Sequence, residues 1–396
     1  MVTSSYPRHQ KDSASVFLRY LSESLGRRGV KVHVLCPEDR TGGISAEGEI
    51  TVRGFRYFPR SLQRLAYGSG ILSNLKRNPW LWFQVPFFLV SLTCSLIREV
   101  RSHRPDIIHA HWLIPQGLVA VLVKRLCRVP VVITAHGADL FALKSPPMRS
   151  LKRFALRRCD AWTSNTRATA EPALRDGTLP TPHVIPMGVN VGFFRPDFNN
   201  DAWRPPEAQF LLLFVGRLVE KKGGGDLLTA FSLLPKALQV KSALWIVGDG
   251  AEAARLKQQS SALGIVQRVR FWGRLSNHLL PEFYAAADLF VAPSVEAASG
   301  DTEGQGVVIL EAFASGTCVV ATRVGGITEV IEDGVTGLLV DPRNPLKLSV
   351  AIEELLHDPE RRRRLAENAL RKVRENYDWE KVAAEFHRVY RDVALK

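Results

Sequence analysis

A chain of 396 residues exceeds what one ordinary hydrophobic core holds, so two domains are expected. With 46% hydrophobic and 23% charged residues it is neither a disordered tail nor a fibrous protein, and it reads as a soluble globular enzyme. The net charge of +14 is one-sided: residues 1–200 carry 28 Lys and Arg against 13 Asp and Glu, a surplus of +15, whereas residues 201–396 carry 25 against 26, or −1. A basic N-terminal half attracts nucleic acid, anionic lipid or phosphorylated ligands, unless it is simply a well-solvated surface.

In chain order, the opening is abrupt. Only Met1, Val2 and Thr3 precede Ser-Ser-Tyr-Pro, so either a buried first strand is clipped or the chain starts upstream of Met1. No apolar h-region follows Met1, and no secretory signal is expected. Strands are expected over 30–35, 106–110, 129–134 and 183–186, with apolar helical patterns between them. The stretch 80–97 is mostly apolar and follows Lys76 and Arg77. Gln84 and Pro86 interrupt it, and it is marginally short for a membrane span. A buried helix is the first reading, an aromatic edge at a bilayer surface the second, a transmembrane helix the third. Residues 189–208 have the polar, Pro-rich composition of a linker.

A second series follows, with strands over 209–215, 242–247, 269–272, 289–292, 319–321 and 337–340. Helices are expected over 223–234, 251–263, 281–287 and 307–315. The domains are therefore 1–188, then 209–373 beyond the linker. A last helix over 374–396 is expected to pack back on the first domain. Two consecutive βα series give an α/β protein with two Rossmann-like parallel-sheet domains facing a cleft. The Arg361–Arg364 run is flanked by Glu360 and Glu367 and reads as a solvated helix face. The five cysteines, Cys36, Cys94, Cys127, Cys159 and Cys318, lack zinc or redox spacing and read as reduced core residues of a cytoplasmic protein.

Chemistry concentrates at strand ends. Gly216-Arg217-Leu218-Val219-Glu220-Lys221-Lys222-Gly223 follows a strand and opens a helix. Arg217 offers a forked donor and Lys222 a point charge, which suits a diphosphate. Neutralising a departing diphosphate is electrostatic catalysis. Gly248-Asp249-Gly250-Ala251-Glu252-Ala253 imitates a dinucleotide fingerprint, but no acid stands between Ala253 and Glu282. NAD is therefore set aside, and Gly248 is kept for a nucleotide pocket. Arg274 and Leu275 close the next strand, where backbone groups can recognise a base. Glu303-Gly304-Gln305-Gly306 enters an apolar helix that carries Glu311. Glycines admit a ligand close to the backbone, and the unpaired N–H groups of a helix start attract anions. The two glutamates are too far apart to share a proton or a small metal. They suit hydroxyls at opposite ends of a nucleoside diphosphate sugar. In the first half, Thr134-Ala135-His136-Gly137-Ala138-Asp139 ends a strand and leaves His136 at a cleft mouth, able to donate to a sugar hydroxyl or a phosphate. His109 and His111 share one strand face; without a nearby third ligand, a polar core edge is preferred to a metal site.

The combination resembles the retaining family-4 glycosyltransferases of the GT-B fold over nearly the whole chain. Gly216-Arg217 with Lys222-Gly223 looks like that family's diphosphate clamp. Glu303 and Glu311 match its two-glutamate motif, and 184–196 looks like its interdomain hinge, with Met187 and Asn190 where Asn and Asp are usual. The family's glycine-rich loop after the first strand is replaced by Tyr6-Pro7-Arg8-His9-Gln10-Lys11-Asp12-Ser13. The resemblance implies that Glu311 binds ribose and that Glu303, with the backbone of Gly304, Gln305, Gly306 and Val307, binds the donor sugar. It places His136 beside the reacting centre. The expectation is a retaining enzyme that uses a UDP- or GDP-sugar, with His136, Glu303, Arg217 and Lys222 as catalytic residues. Gly216, Gly248, Arg274, Leu275 and Glu311 belong to the donor site. No metal and no cofactor are expected. The acceptor is expected to be a saccharide or lipid-linked sugar of bacterial surface-polysaccharide synthesis. The enzyme is expected in the cytoplasm, at the inner face of an anionic membrane, and not on nucleic acid. Two other classes remain open: a GT-B epimerase or hydrolase, and a non-catalytic basic protein that binds nucleic acid or membrane.

Overall fold

The structure, a computed structural model, describes every residue except 10, 11, 13, 14, 39–49, 69, 142–144, 176, 199–203 and 396. Parts of the 6–13 loop and of the 189–208 linker thus lie outside the described residues. The chain forms two compact units, Met1–Pro186 with Trp379–Lys396, and Met187–Asp378.

The first unit contains β1 (Val32–Pro37), β2 (Ile50–Phe55), β3 (Ile108–His111), β4 (Val131–Ala135), β5 (Ala161–Ser164) and β6 (His183–Val184), all in parallel pairs. Val2 joins two ladders into one sheet. It bridges Leu35 on one side and Ala110 on the other, in the order β2-β1-Val2-β3-β4-β5-β6. Its N–H donates to His109 O at 2.8 Å, and its carbonyl accepts from His111 N at 2.9 Å. One residue therefore occupies the central position that an opening strand takes in such a sheet. The amino group of Met1 is buried, and burial pushes its pKa down to about 5. β2 and β5 were not among the expected strands: β2 carries exposed Arg53 and is buried only at its ends, and β5 is four residues long.

The helix Gln84–His103 buries one stripe, Gln84, Phe88, Leu92, Leu96 and Val100, at intervals of four residues. Val85, Leu89 and Ile97 flank it partly buried, and the opposite side is exposed, so the buried-helix reading of 80–97 holds for one face only. Trp80, Trp82, Phe83, Phe87 and Val90 are exposed, Trp80 by 86%. By length and composition, Pro79–His103 is apolar enough to cross a membrane. The helix Trp379–Ala394 completes this unit and buries Trp379, Val382, Ala383, Phe386, Val389 and Val393. Cys94 is exposed, unlike the core position expected of it, while Cys36 and Cys318 are buried.

The second unit holds β7 (Phe210–Val215), β8 (Ser242–Val247), β9 (Val269–Gly273), β10 (Leu289–Ala292), β11 (Cys318–Thr322) and β12 (Leu338–Val340). They form one parallel sheet in the order β12-β11-β10-β7-β8-β9. Strand order reverses between β7 and β10, and in such sheets ligands bind outside the carboxyl ends of the strands at that switch point. β8, β10 and β11 are buried along their whole length, which is why they read as continuous apolar runs.

Candidate active site

The carboxyl ends of β7, β8 and β9 are tied together. Gly216 N–H donates to Val247 O at 3.0 Å, and Gly248 N–H donates to Gly273 O at 2.8 Å. A Cβ on Gly248 would stand 1.8 Å from Gly216 O, and one on Gly250 2.3 Å from Leu218 O. The apparent dinucleotide fingerprint therefore has a packing cause: these glycines let one strand-end loop lie against the next. Gly223 is fixed the same way, with φ +67° and Pro293 O 1.8 Å from where its Cβ would be. That contact joins the loop after β7 to the loop after β10.

This junction brings the two expected charges together. Lys222 Nζ donates to Glu303 Oε2 at 2.5 Å, across 81 residues of sequence. Both side chains are largely buried. Burial alone would raise the Glu303 carboxyl; Lys222, with Lys221 and Arg217 behind it, reverses that and holds it below the ordinary range. Lys221 is engaged separately, to Asp301 Oδ1 at 3.1 Å and Thr302 O at 3.0 Å. Arg217 is exposed at the end of β7, and its charge reaches Glu303.

Residues 303–306 form a loop, and the helix Val307–Ala314 begins after Gly306, a left-handed residue at φ +79°. Gly306, its N-cap, has no side chain to cap this helix start, which leaves its first N–H groups toward the loop. Gln305 has an additional structural task. Its Oε1 accepts from Met187 N at 2.7 Å and its Nε2 donates to Met187 O at 3.0 Å. Gln305 is 3% exposed, so its side chain is taken up by this clamp. Glu311 lies further along this same helix. Tyr284 OH donates to Glu311 Oε2 at 2.8 Å. Burial raises the Glu311 carboxyl to about 7, with Tyr284 and Lys222 opposing the rise. Tyr284, raised well above its usual range by burial and by Glu311, keeps its proton to donate. Sequence reasoning passed over Tyr284; nothing in its helix marks it as a partner of an acid 27 residues away. Arg274 and Leu275 follow β9, Arg274 exposed and Leu275 partly buried.

In the first unit, His136 follows β4 and precedes Gly137, which takes φ +95°. Asp139, also passed over, fixes this turn: its Oδ1 accepts from His136 N and its Oδ2 from Leu113 N, both at 3.0 Å. Burial raises the Asp139 carboxyl against those two donors. Nε2 of His136 bonds Nδ1 of His111 at 3.1 Å. The ring also packs against Trp112 and Phe17, with centroids 5.0 and 5.1 Å away. Burial holds the His136 imidazole down to about 3, so it is neutral at ordinary pH. His109 is a core-edge residue, bonded to Tyr390 OH at 2.6 Å and Thr134 Oγ1 at 2.7 Å. Among the described residues, no group of three or more His, Cys, Asp and Glu is placed to hold a metal ion.

The comparisons with known proteins agree with this architecture. Residues 14–193 match the family model Glycosyltransferase Family 4, and 197–372 match Glycosyl transferases group 1. The chain is 33% identical to D-inositol 3-phosphate glycosyltransferase of Geodermatophilus obscurus, over 75% of this chain and 69% of that protein. It is 29% identical to N-acetyl-alpha-D-glucosaminyl L-malate synthase of Bacillus anthracis, over 80% and 82%. It is 26% identical to the putative teichuronic acid biosynthesis glycosyltransferase TuaC of Bacillus subtilis, over 99% and 97%. Among solved structures, sucrose-phosphate synthase of Thermosynechococcus elongatus aligns with a TM-score of 0.78, at 23% identity over 99% of this chain and 98% of that one. HepE of Anabaena, in complex with UDP, aligns at 0.72 and 21% identity, over 99% and 98%. Two parallel α/β units of this kind define the GT-B fold. The chain belongs to glycosyltransferase family 4, a family of retaining enzymes.

Proposed function

We propose that this enzyme transfers a sugar, with retention of configuration, from a UDP- or GDP-sugar to a hydroxyl of a saccharide or lipid-linked acceptor in bacterial surface-polysaccharide synthesis. The observation that carries the reading is the Lys222–Glu303 pair at the β7–β10 switch point, with the acid Glu311 on the helix that follows. In this reading the diphosphate takes Lys222 and Arg217 as its counter-charges, and the uncapped start of Val307–Ala314 faces its oxygens. Binding of the diphosphate would draw Lys222 from Glu303 and leave that carboxylate for the sugar hydroxyls. Glu311 takes the ribose hydroxyls. Leu275 and the backbone after β9 meet the base, and Gly216 and Gly248 hold the strand-end loops in place. To His136 the reading gives a hydrogen bond to a sugar hydroxyl or a phosphate oxygen. The acceptor oxygen attacks the anomeric carbon from the side the diphosphate leaves, and the diphosphate helps take its proton. The UDP complex of HepE supports the choice of donor, and the TuaC likeness supports the choice of pathway.

A thermal-shift panel of nucleoside diphosphates and their sugar conjugates tests the donor. A ligand at a hundred times its dissociation constant adds about 2.7 kcal/mol of stability. Stabilisation by UDP or GDP, and label transfer to a saccharide acceptor that persists in EDTA, are the expected results. Steady release of free sugar without transfer would point instead to a hydrolase. Salt-sensitive nucleic-acid binding without nucleotide affinity would remove the enzymatic reading.

A peripheral place at the inner face of the cytoplasmic membrane belongs to the same proposal. The exposed aromatic residues from Trp80 to Phe87 and the neighbouring exposed Lys76 and Arg77 favour an anionic bilayer surface.

A further inference from the structure

His111 and His136 come from neighbouring strand ends, and their rings are joined in a specific way. Nδ1 of His111 and Nε2 of His136 are 3.1 Å apart, the ring centroids are 5.3 Å apart, and the planes differ by 23°. The difference between the two distances is taken up by the two ring radii. Both nitrogens therefore lie on the line joining the centroids, which is the alignment an N–H···N bond requires. Only one of the two nitrogens carries the hydrogen, because both rings are held neutral by burial.

The rest of His111 decides which. The residue is fully buried, and its Nε2 has no hydrogen-bond partner among the described residues. If His136 donated, His111 would carry its own proton on Nε2 and bury an orphaned N–H. If His111 donates from Nδ1, the unpaired atom is a bare lone pair. An unused acceptor is the more tolerable of the two in a protein interior. The nearby His109 cannot substitute, because Tyr390 and Thr134 occupy both its nitrogens.

We propose that His111 is a positioning residue that locks His136 in the Nδ1–H tautomer, so that His136 presents a hydrogen-bond donor to its ligand and does not act as a base. The inference rests on the reading that His136 meets the donor substrate, and it sharpens that reading. Phosphate and sugar oxygens offer lone pairs, which an Nδ1–H satisfies and a bare Nδ1 would repel. Asp139 fixes the backbone of the same residue, so main chain and ring are oriented independently.

The test is imidazole-nitrogen NMR on the full chain labelled with 15N-histidine. His136 is assigned by the signals lost in His136→Gln. The expected wild-type spectrum has a protonated, pyrrole-like Nδ1 and a pyridine-like Nε2 for His136. The reverse pattern would overturn the proposal, whatever the activity. In His111→Leu the lock is gone, so the two His136 nitrogens should average or invert. Turnover should fall by about tenfold to a hundredfold, with a smaller rise in KM for the donor. His111→Asn puts an amide N–H where Nδ1–H stood, and should restore both the spectrum and most of the turnover. An unchanged tautomer in folded His111→Leu would also overturn the proposal. If that variant does not fold, the wild-type and His111→Asn spectra decide. Should no sugar transfer be found under any condition, the functional reading fails while the spectra still judge the tautomer.

Discussion

Glu303 and Glu311 are the same residue type eight positions apart, yet their surroundings drive them in opposite directions. Glu303 is buried beside Lys222 and held ionised. Glu311 is buried beside a neutral Tyr284 and keeps its proton up to about 7. In the unfolded chain Glu311 ionises near the ordinary 4.5. Between those two values the folded chain binds the extra proton. Folding stability from this group therefore falls as pH rises from 4.5 to about 7, by about 3 kcal/mol in all, and is level outside that window. Glu303 acts with the opposite sign, losing its stabilising contribution as pH falls through the acid range. Glu311→Gln should flatten the slope between pH 4.5 and 7 in denaturant titrations and stabilise the unliganded chain at pH 8. A variant with the wild-type slope would show that Glu311 ionises normally. The two acids should also differ in function. Glu311→Ala should weaken UDP or GDP affinity, because a ribose contact persists throughout the reaction, while Glu303→Ala should lower turnover more than affinity. Equal loss of nucleotide binding in both variants, measured by calorimetry, would remove that division.

At the scale of elements, the loop 303–306 is held from both sides. Gln305 clamps the backbone of Met187 with two hydrogen bonds, and Gly326 N–H donates to Glu303 O at 3.1 Å. Gln305→Ala would leave a buried N–H and C=O of Met187 without those partners. A loss of about 2–6 kcal/mol in unfolding free energy is expected, at about 1–3 kcal/mol for each unsatisfied buried group. Nucleotide affinity should change less. A variant of wild-type stability would show that Met187 finds other partners. This clamp was not legible in the sequence, where the resemblance gave Gln305 only a backbone contact with the donor sugar. The legible elements share one physical property. β8 and β10 have the bounds expected from the sequence because both faces of each are buried, and the chain there is apolar without interruption. β2 has one open face and an exposed Arg53, and gave no such signal. The candidate site divides the same way. Gly216, Arg217, Lys222, Glu303 and Glu311 stood out because glycines and charges at strand ends and helix starts have local reasons to be there. The bonds Lys222–Glu303, Tyr284–Glu311 and His111–His136 link residues 81, 27 and 25 apart, and only the folded sheets bring them together.

For the whole molecule, charge and chemistry are separated between the two units. Both cations of the proposed diphosphate site and both acids belong to Met187–Asp378. That unit alone, expressed as a fragment, should bind UDP or GDP by calorimetry; binding only by residues 1–186 would contradict the assignment. The basic surplus belongs to the other half, with +15 in residues 1–200 against −1 in the remainder. There the helix Gln84–His103 buries one stripe in the unit's core, while the turn before it and its opposite face expose Trp80, Trp82, Phe83, Phe87 and Val90. Exposed aromatic and aliphatic side chains in one stretch, next to exposed Lys76 and Arg77, match what an anionic bilayer surface takes up: apolar rings at the headgroup boundary and cations against lipid phosphates. Each cation near such a surface contributes about 1 kcal/mol, and salt screens it within a Debye length. The full-length enzyme should therefore co-sediment with vesicles rich in anionic lipid, bind neutral vesicles weakly, and be released by high salt. Replacing Trp80, Trp82 and Phe83 by Ser should weaken that binding without altering UDP or GDP affinity, since those residues lie in the first unit. Replacing Lys76 and Arg77 by Gln should reduce the salt dependence. Equal binding to anionic and neutral vesicles would leave the aromatic stretch without a lipid partner, while the donor site in the second unit would stand unaffected.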